Sequence, residues 1–113
     1  MALFKVITLT GTGSTLNSEP YPINWKQANF KIGLALDTNG STTGFTVQYC
    51  LENPGDYASS TAYNANAKWF SHPYMSALTA DTDGNIAFPV RAIRLQADTA
   101  GTDTATLTIA QSN

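Results

Sequence analysis

Strict alternation of apolar and polar side chains is the feature that most restricts the fold of this chain. Between residues 30 and 37 the apolar set consists of Phe30, Ile32, Leu34 and Leu36, and the set between them of Lys31, Gly33, Ala35 and Asp37. A period of two residues is typical of an antiparallel strand with one buried face. No window carries helical spacing over three turns, so the chain is predicted to be all-β without a helical segment.

The same period recurs in three further segments, 45–51 (FTVQYCL), 86–97 (IAFPVRAIRLQA) and 104–111 (TATLTIAQ). In the second of these the apolar phase changes near Pro89, as expected where a strand bulges or passes from one sheet to another. We expect residues 30–37 to pair with 45–51 across a loop centred on Asn39 and Gly40, and the last two segments to form a hairpin.

The N-terminal segment LFKVITLT is apolar on both faces. It is predicted to be a strand that is covered on two sides or lies along a partner. Turn signals separate about seven or eight short strands, which predicts a single domain, residues 1–113, folded as an antiparallel β-sandwich. Jelly-roll and Ig-like connectivity fit the pattern equally well.

Composition argues against several classes of function. Only 12% of the 113 residues are charged, against ~25% in typical soluble domains, and the net charge is -2. The six Lys and Arg residues are spread along the chain, which argues against nucleic acid as a partner. No segment is long and apolar enough for a membrane span, and the first residues lack the pattern of a signal peptide. So weakly charged a surface favours a protein that is docked to another protein.

Cys50 is the only cysteine, which excludes an intrachain disulfide. It lies on a predicted strand without a basic neighbour that would activate its thiol, so we expect a small apolar filler. One cysteine and one histidine without the usual spacing do not indicate a zinc site.

The segment ADTDGNI carries oxygen-bearing side chains at alternate positions, Asp81, Asp83 and Asn85, as a calcium loop does. An EF-hand that began at Asp81 would need glycine and glutamate where Ile86 and Ala92 stand. The Asp-Gly pair within the segment is instead typical of a tight turn. We therefore predict a turn, with no metal and no other cofactor, and the alternative is a calcium loop of a type other than the EF-hand.

His72 is the only histidine, so any histidine-dependent mechanism would have to use it. Its neighbour Ser71 makes no catalytic arrangement, because a nucleophile and its base normally come from separate elements and need an orienting third group. Nothing in the context of Glu19 and Glu52 favours a glycosidase pair. We predict no catalytic residue and no enzymatic activity, and expect His72 to cap or pack a turn.

Residues 52–68 (ENPGDYASSTAYNANAK) have no apolar period and are long for a connection, which indicates a working or mobile loop. Tyrosine among Ser, Ala and Asn is typical of adaptable contact surfaces, so Tyr57 and Tyr63 are candidate partner contacts. The alternative is that these rings close over one end of the core. Aromatic residues and arginine are enriched at interfaces, which adds three candidates outside the loop: Tyr74, Arg91 and Arg94.

The two arginines are expected to project to opposite faces of their strand. One would pair with a turn aspartate and the other would meet a partner. A solvated charge that discourages unwanted strand pairing is the alternative for either.

The string WFSHPYMSALTADTDGNIAFPVRAIRLQADTAGTDTATLTIAQ, residues 69–111, resembles a family of small proteins encoded in tailed-bacteriophage genomes. The pattern is Trp-Phe, a His beside the next loop, DGN leading into AFPVRAIRL, and a terminal Thr-Ala-rich hairpin. PINWKQANFKIGLAL and TGFTVQYCLE match more loosely, so the likeness touches most of the chain except the 52–68 loop. The similarity rests on turn and core residues, so it implies the fold more firmly than the role.

The resemblance implies a non-enzymatic virion structural protein, above all a capsid decoration (cement) protein on the outside of the major capsid protein shell. Such a protein would be made in the host cytoplasm and located in the virion, and symmetric lattice sites would suit a homo-oligomer such as a trimer. A head-fibre or tail-associated receptor- or carbohydrate-binding module is the alternative, with stacking platforms at Tyr57, Tyr63, Trp69 and Tyr74.

Overall fold

The computed structural model of the protein describes residues 3–26, 31–38 and 40–111, which form two antiparallel sheets packed face to face. Within these residues the strands are β1 (Leu3–Thr10), β2 (Leu16–Asn17), β3 (Tyr21–Pro22), β4 (Ile32–Asp37), β5 (Phe45–Cys50), β6 (Trp69–Ser71), β7 (Thr82–Ile86), β8 (Ala92–Ala97) and β9 (Thr104–Gln111). The prediction of an all-β sandwich is confirmed.

The first sheet has the strand order β1-β9-β4-β7. In the second sheet β8 lies between β5 and the two short strands β2 and β3, and β6 forms the other edge beyond β5. The described residues thus form nine strands rather than seven or eight, because two-residue strands leave no period in the sequence. Pro20 and Pro22 border β3 at a sheet edge, where a missing N–H costs no ladder bond.

The core lies between the two sheets and is built from the side chains predicted to point inward. In β4 the buried apolar residues are Ile32, Leu34 and Leu36, and in β9 they are Ala105, Leu107 and Ile109. Phe45 and Val47 of β5 are completely buried opposite them. Each Leu, Ile, Phe or Val side chain buried in this way stabilises the fold by about 1.5–3 kcal/mol. The predicted inward position of Phe30 lies outside the described residues.

Both predicted strand pairings are wrong, because the chain passes repeatedly from one sheet to the other. β4 pairs with β7 and β9, whereas β5 pairs with β6 and β8 in the opposite sheet. For the same reason β8 and β9 do not form a hairpin. Strands that face each other across a core alternate just as paired strands do, so the period could not distinguish the two arrangements. Of the two alternatives for the phase change near Pro89, a bulge or a passage between sheets, the structure has the second, since β7 and β8 belong to different sheets.

The prediction that no segment is helical is wrong for residues 52–68. A 3-10 helix spans Pro54–Asp56, and α1 spans Ser60–Asn66. The side chain of Ser59 accepts a hydrogen bond from the Ala62 N–H at 3.1 Å and caps α1. A helix of seven residues spans about two turns, which is too short to show helical periodicity in the sequence. Neither helix has the length and apolar character needed to cross a membrane.

The predicted turn at Asp83 and Gly84 is also wrong, since both residues belong to β7 and pair with β4. Gly84 lies opposite Leu34 with an ordinary strand backbone; the positive φ angles at glycine in the described chain are those of Gly13 and Gly40. A Cβ atom on Gly84 would lie 2.7 Å from the Met75 Sδ atom. Glycine is therefore needed here for close packing rather than for turning.

Candidate interaction surfaces

Tyr63 is a buried packing residue rather than a surface contact. Its side chain is 1% exposed and lies with Cys50 and Ala92 in a small apolar cluster between α1 and the outer face of the second sheet. The phenol donates to the Glu52 carbonyl oxygen at 2.9 Å, and burial raises the pKa of Tyr63. The contact role predicted for Tyr63 is wrong, because α1 buries it against the protein itself. The prediction that Cys50 is an apolar filler is confirmed.

Tyr57 packs beside this cluster, with its ring centroid 5.3 Å from that of Tyr63. Its hydroxyl donates to the Glu52 carboxylate, which also accepts the backbone N–H of Lys68. The hydrogen bond to Glu52 raises the pKa of Tyr57 to about 12, and the same bond lowers the pKa of Glu52. Glu52 therefore ties the two ends of the 52–68 segment together, and Tyr57 serves that closure.

Arg94 lies on the outer face of β8 but is covered by α1 and only 6% exposed. Its Nε–H donates to Gln48 Oε1 at 2.8 Å, and its Nη1–H donates to the Asn64 carbonyl oxygen at 2.7 Å. The guanidinium carbon lies 4.2 Å from the Trp69 ring centroid. Burial lowers the pKa of Arg94 to about 10. The predicted roles as partner contact or aspartate partner are wrong for Arg94, which instead joins α1 to the second sheet.

Arg91 is half-buried and lies at the start of β8, with its guanidinium carbon 4.3 Å from the Trp25 ring centroid. Trp25 is 39% exposed, and Lys26 places its Nζ atom 5.3 Å from the same ring. Cation–π contacts of this kind hold the indole at the surface. Arg91 stays a candidate partner contact, in company with Trp25.

His72 is buried and both of its ring nitrogens are occupied. Nδ1 accepts the Tyr74 backbone N–H at 3.1 Å, so the proton resides on Nε2, which donates to the Asn85 carbonyl oxygen at 2.8 Å. The His72 carbonyl oxygen also accepts the Met75 N–H. The prediction that His72 packs a turn is confirmed. The hydroxyl of the adjacent Ser71 accepts a hydrogen bond from the Gln48 side-chain amide, at a long 3.5 Å.

Asp103 is a carboxylate surrounded by four hydrogen-bond donors. One oxygen, Oδ2, accepts the backbone N–H and the hydroxyl of both Thr42 and Thr43 at 2.9–3.1 Å. These donors favour the charged form and lower the pKa of Asp103 to about 2. The carboxylate thus fastens the connection before β5 to the turn before β9.

The oxygen-bearing residues of the ADTDGNI segment follow an extended strand and not a calcium-type loop. Asp81 Oδ1 accepts the Thr38 N–H at 2.9 Å, while Asp83 and Asn85 lie further along β7. Across residues 3–26, 31–38 and 40–111, no three His, Cys, Asp or Glu side chains are placed to hold a metal ion.

The outer face of β1 is the most exposed apolar surface on a strand edge. Phe4 is 69% exposed and Val6 44% exposed, whereas Ile7 and Leu9 on the other face are buried in the core. Within the described chain β1 pairs with β9 alone. Apolar residues on both faces of this strand were visible in the sequence, and the structure places one face outside.

The free edge of β1 offers unpaired backbone groups at known positions. Gly11 N–H donates to the Asp103 carbonyl oxygen and Gly13 N–H to that of Gly101, in register with the β1–β9 pairing. Because hydrogen-bonded pairs alternate along an antiparallel ladder, the odd-numbered residues of β1 bond β9. The N–H and C=O groups that point to the free edge belong to Phe4, Val6, Thr8 and Thr10.

An open groove of about 530 Å³ runs along this edge, between β1 and residues 16–21 of the second sheet. The other sheet edges are poor templates for a further strand. β2 and β3 have two residues each, with Pro20 between them and Pro22 within β3. β6 has three residues and is soon followed by Pro73, and β7 carries Asp83. The edge of β1 has eight residues and no proline.

Comparison with known proteins identifies the fold and no family. No family model matches the chain, and no curated protein matches it significantly. One solved structure of similar fold is described as "Bacillus endospore appendages form a novel family of disulfide-linked pili". It aligns with a TM-score of 0.54 and 11% sequence identity, over 98% of this chain and 84% of that chain. At that identity the likeness shows the fold alone.

Proposed function

We propose that this chain is a non-enzymatic structural protein of a bacteriophage virion, a decoration protein that binds the outer surface of the major capsid protein shell and stabilises it. The observation that carries the proposal is the free edge of β1, with its unpaired backbone groups and the exposed side chains of Phe4 and Val6. An extended segment of a capsid subunit would add to this edge as a further strand.

Three further features support an assembly role. Charged residues make up only 12% of the chain, so its surface is weakly protected against association. The resemblance of residues 69–111 to small phage proteins points to a virion component. The structure of similar fold comes from endospore appendages described as disulfide-linked pili, and a role in an assembly is compatible with that likeness.

The mode of attachment would be noncovalent. The pili of similar fold are disulfide-linked, whereas Cys50, the single cysteine here, is fully buried beneath α1. Its thiol is out of reach of a neighbouring subunit. Strand addition would have to supply the affinity through main-chain hydrogen bonds and the apolar face of β1.

The test is cosedimentation of the purified protein with phage capsids that lack it, with bound copies per shell measured as the protein concentration rises. We expect saturation at a copy number that matches the lattice axes, and greater resistance of the shell to heat. Sedimentation velocity of the free protein tests whether it binds as a homo-oligomer such as a trimer.

Two variants separate the backbone and side-chain contributions. Val6→Pro removes an N–H that points to the free edge and leaves the β1–β9 bonds in place, so it should weaken binding roughly tenfold or more. Phe4→Ala removes exposed apolar area from the same face. Leu51→Ala is the matched control, because Leu51 is 51% exposed on another part of the surface. Binding of no more than a few copies per particle, or binding unchanged by Val6→Pro, would overturn the proposal.

A further inference from the structure

A second open cleft, of about 410 Å³, lies on the opposite side of the sandwich from the β1 edge. The free edge of β7 forms one wall, and Tyr49 with the turn at residues 72–74 forms the other. Pockets that bind small molecules have volumes of about 300–1,000 Å³ and combine apolar walls with a few polar groups. This cleft has both.

Aromatic rings that pack against one another form the apolar part of the cleft. The Tyr49 ring meets Phe88 edge-on at 5.3 Å and stacks on Phe70 at 5.9 Å. Tyr74 stands at the rim with 82% of its side chain exposed, and Phe88 is 45% exposed. Exposed rings in one place are uncommon on a domain surface unless they contact something.

The polar part of the cleft comes from β7. Asp83 and Asn85 are two residues apart, so their side chains project to the same side of the strand. Both are exposed, and neither side chain has a hydrogen-bond partner in the described chain. His72 lines the cleft too, but both of its ring nitrogens are committed to the backbone. The carboxylate of Asp83 and the amide of Asn85 are therefore open to a ligand from the β7 side of the cleft.

We propose that this cleft binds a neutral pyranose sugar. The apolar face of the sugar ring would lie on Tyr74 and Phe88, and its hydroxyl groups would donate to Asp83 and exchange hydrogen bonds with Asn85. The carboxylate disfavours anionic sugars and phosphates, because like charges repel across a short distance. The polar β7 wall favours a hydroxyl-rich ligand over an apolar peptide, which would leave these groups unpaired. This role is independent of capsid binding through β1.

The stacking platforms proposed from the sequence need correction accordingly. Tyr57, Tyr63 and Trp69 belong to the cluster beneath α1 and do not line this cleft. Tyr74 alone of that set stands at the new site.

The experiment is a titration of the isotopically labelled protein followed by amide NMR shifts. The probes are methyl glycosides of glucose, galactose, mannose and N-acetylglucosamine, the disaccharides lactose and cellobiose, and sialyllactose as an anionic comparison. We expect saturable shifts confined to residues 72–75 and 83–88 for at least one neutral sugar, and weaker binding when the same sugar carries sialic acid.

Tyr74→Ala and Asp83→Ala should each weaken that binding by roughly tenfold or more, which corresponds to about 1.4 kcal/mol. Both residues are exposed, so the fold should survive. Phe4→Ala is the control, because it removes an exposed ring at the β1 edge and should leave sugar binding unchanged.

Three results would each overturn the proposal: no saturable shift for any neutral sugar, shifts that lie away from the cleft, or an affinity unchanged in Tyr74→Ala. Binding of a proline-rich peptide without sugar binding would identify the cleft as a peptide site and overturn it too. Failure of capsid cosedimentation would leave the sugar result untouched, since the two tests examine different surfaces of the protein.

Discussion

The guanidinium group of Arg94 on β8 lies over the indole ring of Trp69 on β6, with the guanidinium carbon 4.2 Å from the ring centroid. The same arginine reaches Gln48 on β5 and Asn64 on α1, so one cation connects the sheet to the helix that covers it. The outer face of this sheet is thereby a second packed layer instead of a solvated surface.

This contact predicts that Arg94→Met lowers the free energy of unfolding by about 2–3 kcal/mol, because Gln48 and Asn64 would lose a charged donor inside the protein. Urea unfolding measures the change. Arg91→Met is the matched control, since it removes an arginine from a tryptophan ring at a more exposed position, and should cost less than about 1 kcal/mol. Equal effects of the two substitutions would contradict the connecting role of Arg94.

Gly84→Ala should destabilise the sandwich by about 1–3 kcal/mol, because its methyl group would meet the Met75 Sδ atom at 2.7 Å inside the core. Gly33→Ala on the adjacent strand is the control, since the nearest atom to its new methyl group is 3.9 Å away. Thermal unfolding of both variants provides the comparison. Combining Gly84→Ala with Met75→Ala should cost less than the sum of the two single changes, and strict additivity would argue against the contact.

The hydrogen bonds at Asp103 predict a specific sensitivity to acid. The pKa of Asp103 is about 2 in the folded chain, against an ordinary value of 3.8. A depressed pKa contributes stability that is present above the unfolded value and is lost as the pH falls through the folded one. Stability attributable to Asp103 should therefore decline between about pH 4 and pH 2.

Denaturation midpoints measured across that range check this prediction. Asp103→Asn should be less stable than the wild type near neutral pH and should lose less stability on acidification. Asp83→Asn makes the same change of charge at an exposed site without hydrogen-bond partners and should keep the acid dependence of the wild type. An unchanged profile in Asp103→Asn would show that its donors do not matter for folding.

Tyr63 covers Cys50, which makes thiol reactivity a measure of helix docking. Tyr63→Ala should cost about 3–5 kcal/mol and greatly accelerate labelling of Cys50 by a water-soluble disulfide reagent. Tyr63→Phe loses only the hydrogen bond to Glu52, should cost about 1 kcal/mol, and should leave the thiol protected.

Ser59→Ala supplies a milder test of the same contact, since it removes the cap of α1 at a cost of about 1 kcal/mol without touching the cluster. Labelling should rise in this variant in proportion to the loss of helix docking. Slow labelling in both Ser59→Ala and Tyr63→Ala would mean that α1 does not shield Cys50.

The sequence predicts which side chains of each strand point into the core, but it does not predict which strands pair with each other. Burial of Leu34 or Leu107 depends on a period of two, which is local information. Whether β4 lies beside β5 or across from it depends on where the connection crosses, and the residues of both strands alternate in the same way. The sandwich was therefore predictable and its strand order was not.

Local sequence information also explains which of the predicted contact residues lie at the surface and which are buried. Gln48 and Arg94 are polar and lie opposite each other, so the sequence indicates a solvated face. This face is covered because α1 docks on it. The only sequence signal for α1 was a capping residue, Ser59, because a helix of seven residues is too short to show helical periodicity. Tyr63 and Arg94 were consequently misplaced, whereas Tyr74 and the edge strand β1 do lie at the surface.

The pairing of β1 with β9 determines when the first sheet can form during synthesis of the chain. Leu3 lies opposite Gln111 and Thr10 opposite Thr104, so β1 has no strand to pair with until β9 has been synthesised. The first sheet must form after translation of β9, and the apolar segment LFKVITLT stays uncovered in the meantime. A nascent chain in that state is a natural client for a chaperone.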